Sequence, residues 1–169
     1  MKKLPSRKKI RLHGYDYSQQ GAYFITICVK DHKNLLGKIF DNTIVLSEYG
    51  QIAKNEIEHI PHIRKECTVD NYVIMPNHIH LIVRIVHVGD DGNRPANTTE
   101  RADCHPPLRR TLSNMVQGFK GAVTRQIGIP IWQRSYHDRI IRTEESYNRI
   151  SYYIDENPAI WQEDCYYKI

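Results

Sequence analysis

Cysteine is scarce and scattered in this chain: Cys28, Cys67, Cys104 and Cys165 are the only four, and no two of them form a C-x-x-C pair. That spacing excludes a structural zinc ribbon, and isolated thiols suit a reducing compartment. Long apolar runs are also missing, so no segment reaches membrane-spanning length. The N-terminal stretch lacks the apolar segment of a secretory signal. The expectation is a soluble, cytoplasmic protein with no membrane partner. Residues 1–14 contain no acid, while Lys2, Lys3, Arg7, Lys8, Lys9 and Arg11 crowd there, against a formal net charge of +5 for the chain. A basic arm of this kind is either a solvated tail or a contact for a polyanion such as nucleic acid. Phe is sparse too, with three residues against eleven Tyr. Tyr fills cores, stacks on bases or acts as a nucleophile.

The 169 residues suit a single domain, over 15–169, with a sizeable core. Residues 22–29 read as a buried strand, and Gly37 to Phe40 and Thr43 to Leu46 as a small hairpin turning at Asp41-Asn42. Ser47 is a good cap for a helix running to about His59 and stopped by Pro61. Residues 67–75 and 78–86 read as an antiparallel pair around Pro76-Asn77. Residues 87–107 carry little hydrophobic content and read as a long exposed loop. A helix from Leu108 to Ile127 capped by Gly128, a strand from Ser135 to Arg142, and a helix from Thr143 to Glu156 ended by Asn157-Pro158 complete the pattern. Without the hairpin and the last helix, the order is βαββαβ. The predicted class is therefore α+β, a ferredoxin-like antiparallel sheet with one face free after two helices cover the other.

The run Val73 to Ile82 holds the most informative pair. His78 and His80 stand two apart in a β-branched, apolar stretch, so both imidazoles leave one strand face while Ile79 and Leu81 leave the other. A lone His in a strand is ordinarily a satisfied surface or core residue. Two on a buried face form half of a divalent-metal or catalytic site. On the last helix, Tyr153 and Asn157 are four apart and share a face, whereas Tyr152 points about 100° away. Taken alone, these residues read as core packing and a helix cap. Beside a His pair they offer a phenol nucleophile and an amide oxygen. Mg²⁺ or Mn²⁺ accepts imidazole nitrogen and amide oxygen, and keeps positions open for phosphate.

Pro76-Asn77-His78-Ile79-His80-Leu81-Ile82-Val83 resembles the HUH motif (His, hydrophobic, His) of single-tyrosine transposases. Ile131 to Arg142, Tyr153-Ile154-Asp155-Glu156-Asn157-Pro158 and the helix with Gly118-Phe119-Lys120 are similar to the REP-associated tyrosine transposase branch. The likeness covers roughly residues 15 to 161, in order and spacing. It implies a ferredoxin-like core and metal-dependent cleavage of single-stranded DNA beside imperfect hairpins. In that scheme Tyr153 matches the nucleophile, which takes the 5′-phosphate and leaves a 3′-hydroxyl. His78 and His80 match the metal ligands, and Asn157 the third ligand position. Attack by a 3′-hydroxyl on the phosphotyrosine then reseals a junction. Insertion-sequence relatives are obligate dimers while the REP-associated branch includes monomers, so both a homodimer and a monomer stay open.

DNA contacts are expected from Arg109, Arg110, Lys120 and Arg125, and from Arg134, Tyr136, Arg139 and Arg142. Each alone reads as a solvated or packing residue. Two readings from other classes stand beside the transposase. One is a βαββαβ nucleic-acid binder without chemistry, disfavoured because its alternating Lys/Arg, Gly and aromatic signature is absent. The other is a metal-dependent hydrolase whose His pair activates water, in which Tyr153 would be dispensable.

Overall fold

Alternation of buried and exposed positions decides the sheet, and the sheet decides where the imidazoles go. The computed structural model describes residues 19–86 and 112–167. The arm over 1–14, the loop expected over 87–107, and Arg109 and Arg110 lie outside the described residues. The elements are β1 (Gly21–Cys28), β2 (Gly37–Phe40), β3 (Thr43–Leu46), α1 (Glu48–Ile63), β4 (Cys67–Ile74), β5 (His78–Ile85), α2 (Leu112–Ile127), β6 (His137–Ile141) and α3 (Glu144–Glu156). Four strands form an antiparallel sheet in the order β4-β5-β1-β6, and β2-β3 form a separate two-stranded sheet. This is the expected ferredoxin-like α+β arrangement, with the small hairpin and the C-terminal helix added to it.

Strand β5 sits inside the sheet and is buried on both faces. Its odd residues Ile79, Leu81, Val83 and Ile85 join one core cluster with α1 and α2, contributed by Ala53, Ile57, Ile60, Met115, Val116, Phe119 and Val123. On the opposite face, Ile82 joins Ala22, Val73, Met75, Ile150, Ile154 and Trp161 beneath α3. His78 and His80 share that second face, as the period of two requires. Register then sets Cys28 opposite His78 and Thr26 opposite His80.

Local chemistry explains the element ends. The Ser47 hydroxyl accepts from Gly50 N at 3.1 Å and donates to the Leu35 carbonyl at 2.6 Å, so one side chain caps α1 and ties it to the preceding segment. Gly50 is needed there, because a Cβ would lie 2.0 Å from the Leu36 carbonyl oxygen. Asp41 and Asn42 take φ of 47° and 57°, the left-handed pair that a tight hairpin turn demands. Pro61 does not stop α1 as expected. The helix continues to Ile63, because a proline in the last turn forfeits only one backbone bond. Strand β6 begins at His137 rather than Ser135. Asn157 keeps helical angles, φ −54° and ψ −40°, although it precedes Pro158. That choice holds it in register with Tyr153 on the same helix face.

Candidate active site

Three elements deliver the site. β5 supplies His78 and His80, α3 supplies Tyr153 and Asn157, and the segment returning after Pro158 supplies Asp164. Helix α3 is nucleated by Thr143, whose hydroxyl accepts from Ser146 N, with Glu144 and Glu145 in the first turn where acids favour the helix dipole. Ile150 and Ile154 anchor it to the sheet. A polar clasp sets its rotation: Asn71 Nδ2 on β4 donates to Ser151 Oγ and to Asp155 Oδ1, each at 2.9 Å.

Tyr153 is thereby aimed at the imidazoles. Its hydroxyl lies 3.3 Å from His80 Nε2 and donates to Asp164 Oδ2 at 3.0 Å. The same carboxylate oxygen accepts from Asn157 Nδ2 at 3.0 Å, and Asp164 Oδ1 accepts from Tyr166 N at 2.7 Å. His78 Nε2 and His80 Nε2 are 2.9 Å apart, and His78 Nε2 is 3.9 Å from Asp164 Oδ2. The ring of Tyr166 covers His78 at 4.6 Å between centroids.

The hydrogen-bond pattern assigns the protons. Asn77 Nδ2 donates to the carbonyls of His32 and Tyr166, which can only accept. Asn77 Oδ1 is therefore the acceptor 2.8 Å from His78 Nδ1, which carries the proton. His78 Nε2 is left as a lone pair facing the second imidazole. Thr26 Oγ1 lies 2.9 Å from His80 Nδ1 and can donate or accept, so His80 has two states. Without a cation, His80 Nε2–H bridges to His78. With one, both Nε2 atoms present lone pairs and Thr26 accepts from Nδ1–H. Orienting Nδ1 through a neighbouring oxygen is the usual support for a metal-bound histidine.

The electrostatics suit a cation. Burial pushes the His80 imidazole down to about 3 and the His78 imidazole down to about 4, so both rings are neutral at neutral pH. Burial also pushes the Asp164 carboxyl up, but the Tyr166 N–H, the Asn157 amide and nearby His78 outweigh it and hold the group below its ordinary value. Burial and the Asp164 carboxylate raise the Tyr153 phenol well above its ordinary value. His78, His80 and Asp164 place ligand atoms within 4.8 Å of one another. Asn157 is fully buried and, among the described residues, its Oδ1 has no hydrogen-bond partner. Leaving such an acceptor unpaired costs about 1–3 kcal/mol, a cost a bound cation would remove. The donor set fits Mg²⁺ or Mn²⁺, which take nitrogen and oxygen ligands.

The other expected residues divide. Arg139 lies on the sheet face of the imidazoles, opposite Phe24, which itself stacks on His80 at 5.1 Å. Arg134 and Arg142 are exposed near the ends of β6. Lys120 and Arg125 lie on α2, across the sheet from the imidazoles. Lys120 is committed to structure: it donates to the carbonyls of Gln133 and Ser135, and burial pulls its ammonium down to about 8. Tyr136, offered by the sequence as a stacking surface for DNA, is instead buried in the core cluster beneath α1 and α2. Tyr152 is 67 % exposed and has no place in the site. Asp164, Thr26 and Asn77 were not legible as site residues. Asp164 lies seven positions past Asn157, after the helix has ended, so helical periodicity does not relate the two.

No family model matches the sequence. A protein of Haemophilus influenzae (strain ATCC 51907 / DSM 11121 / KW20 / Rd), described as an uncharacterized protein, is 36% identical over 167 residues, covering 95% of this chain and 93% of that one. Among solved structures, a REP-associated tyrosine transposase bound to a REP hairpin superposes with a TM-score of 0.61 at 20% identity, covering 88% of this chain and 73% of that one. Among the described residues, no helix is long and apolar enough to cross a membrane.

Proposed function

We propose a function for a chain that belongs to one family with the Haemophilus influenzae protein and has the fold of a REP-associated tyrosine transposase: it cleaves and rejoins single-stranded DNA beside hairpins through Tyr153. The observation that carries this reading is the 3.3 Å approach of the Tyr153 hydroxyl to His80 Nε2, in a pocket whose two buried imidazoles are neutral. His78 and His80, with Asp164 or Asn157, would hold Mg²⁺ or Mn²⁺. A divalent ion bound there supplies charge to the scissile phosphate and to the oxyanion that develops.

The chain's own groups perform the transfer. Tyr153 Oη forms the new bond to phosphorus, and the bond from phosphorus to the 3′-oxygen breaks. The phenolic proton leaves along the hydrogen bond to Asp164 Oδ2, and the departing 3′-oxygen takes up a proton to become a hydroxyl. The raised Tyr153 explains why an acceptor must sit at hand, since the phenol is protonated at rest. A 3′-hydroxyl attacking the phosphotyrosine reverses every step and reseals a strand without an external energy source. Exposed Arg134, Arg139 and Arg142 would follow the phosphates.

The test is a labelled hairpin oligonucleotide with single-stranded flanks, incubated with the protein and Mn²⁺ and run on a denaturing protein gel. A covalent adduct that Tyr153→Phe abolishes and Tyr152→Phe spares supports the reading. Cleavage without an adduct makes the protein a hydrolase. Binding without cleavage makes it a passive module.

A further inference from the structure

The β2–β3 hairpin takes no part in the four-stranded sheet, yet it forms one wall of a cleft of about 660 Å³. The segment Pro158 to Glu163 forms the other wall. The volume falls within the range of about 300–1,000 Å³ typical of small-molecule sites. Three amides, Asn34, Asn42 and Gln162, line it, and none of them makes a side-chain hydrogen bond among the described residues. Each amide offers a donor and an acceptor side by side, the pattern a nucleobase edge presents. Ile39, Ile160 and Trp161 supply apolar surface for a flat ring. Trp161, which lines the cleft, also packs against the imidazole pair, its ring 5.9 Å from that of His78.

We propose that this cleft receives one unpaired nucleobase of the DNA strand that crosses the Tyr153 site, held by the three amides and selecting the cleavage position. The inference rests on the strand-transfer reading above, because that reading sets which polymer passes His78. It assigns a role to the hairpin, which the sheet itself does not need. A base lodged there leaves the stack and is read at its edge, a mode suited to single strands.

The test uses the full-length protein and equilibrium binding, without divalent ion, to a hairpin oligonucleotide with a short single-stranded flank. Each flank nucleotide is replaced in turn by an abasic one. One position is expected to lose about tenfold in affinity, the size of one lost base contact. The double variant Asn34→Ala/Gln162→Ala, which leaves the left-handed turn at Asp41-Asn42 untouched, is expected to bind the intact and abasic flanks equally while keeping its affinity for a flankless hairpin. Both residues are exposed, so the variant folds, which circular dichroism verifies. Equal affinity at every abasic position in the wild type overturns the proposal, as does a double variant that keeps the positional dependence. A Tyr153 adduct with no sensitive position removes the cleft alone. A sensitive position with no adduct removes the strand-transfer reading alone.

Discussion

The Tyr153 hydroxyl donates to Asp164 Oδ2 at 3.0 Å while lying 3.3 Å from His80 Nε2, so one phenol touches both the carboxylate and the imidazole pair. If that carboxylate takes the phenolic proton, Asp164→Asn lowers the rate of adduct formation about 10²–10⁴-fold. The remaining rate rises with pH, as hydroxide replaces the missing acceptor. An unchanged rate and a flat profile would assign Asp164 to packing alone. Gel quantification of the adduct at several pH values decides.

The paired Nε2 lone pairs call for a cation. Mn²⁺ at a hundredfold excess over its Kd adds about 2.7 kcal/mol to stability if it binds only the folded chain. The rise in Tm in calorimetry is expected to vanish in His78→Ala and in His80→Ala. A rise that persists in both variants would place the ion elsewhere.

Acid separates the folded from the unfolded chain through the same two rings. An imidazole in the unfolded chain titrates near about 6.5, whereas His78 and His80 are pushed to about 4 and about 3 by burial. The unfolded chain therefore binds more protons between those values. Stability is full above the ordinary imidazole range and falls as pH drops toward 4. Urea midpoints measured from pH 7 to 4.5 are expected to decline less steeply in a His78→Gln/His80→Gln variant. Identical slopes contradict the assignment.

Two helical glycines behave in opposite ways. Gly50→Ala forces a Cβ to within 2.0 Å of the Leu36 carbonyl oxygen, a backbone atom that cannot yield, and destabilises the protein strongly. Among the described residues, a Cβ at Gly121 meets only the end of the Arg125 side chain, at 3.6 Å. Gly121→Ala therefore gains about 0.5–1 kcal/mol from helix propensity. Denaturant titration of both variants checks the contrast.

Basic residues on the two sheet faces also part company. Arg139→Ala, on the imidazole face, reduces the salt slope of DNA binding by about one contact. Lys120→Ala leaves the slope unchanged but lowers stability, because its ammonium bridges the Gln133 and Ser135 carbonyls. Filter binding at several salt concentrations, with thermal melts, distinguishes them.

Most of the architecture was legible because it follows from short-range rules. The period of two placed His78 and His80 on one face, the spacing of four placed Tyr153 with Asn157, and Ser47 and Thr143 marked their helices. What escaped depends on long-range packing. Asp164 reaches Tyr153 only because the chain reverses after Pro158, and no local pattern encodes that reversal. Tyr136 shows the converse: its neighbours Arg134, His137 and Arg139 suggest a polar surface, yet its ring turns into the core. Thr26 and Asn77 acquire their roles through register and through carbonyls donated by distant segments.

The helical angles of Asn157 ahead of Pro158 fix where α3 stops and where the chain doubles back. Only six residues, 158–163, then separate the end of the amide's helix from the carboxylate that meets the phenol. So short a span leaves no slack. A one-residue change in its length is expected to carry Asp164 away from the phenol, so insertions and deletions in this stretch should silence the site even where the sheet still folds.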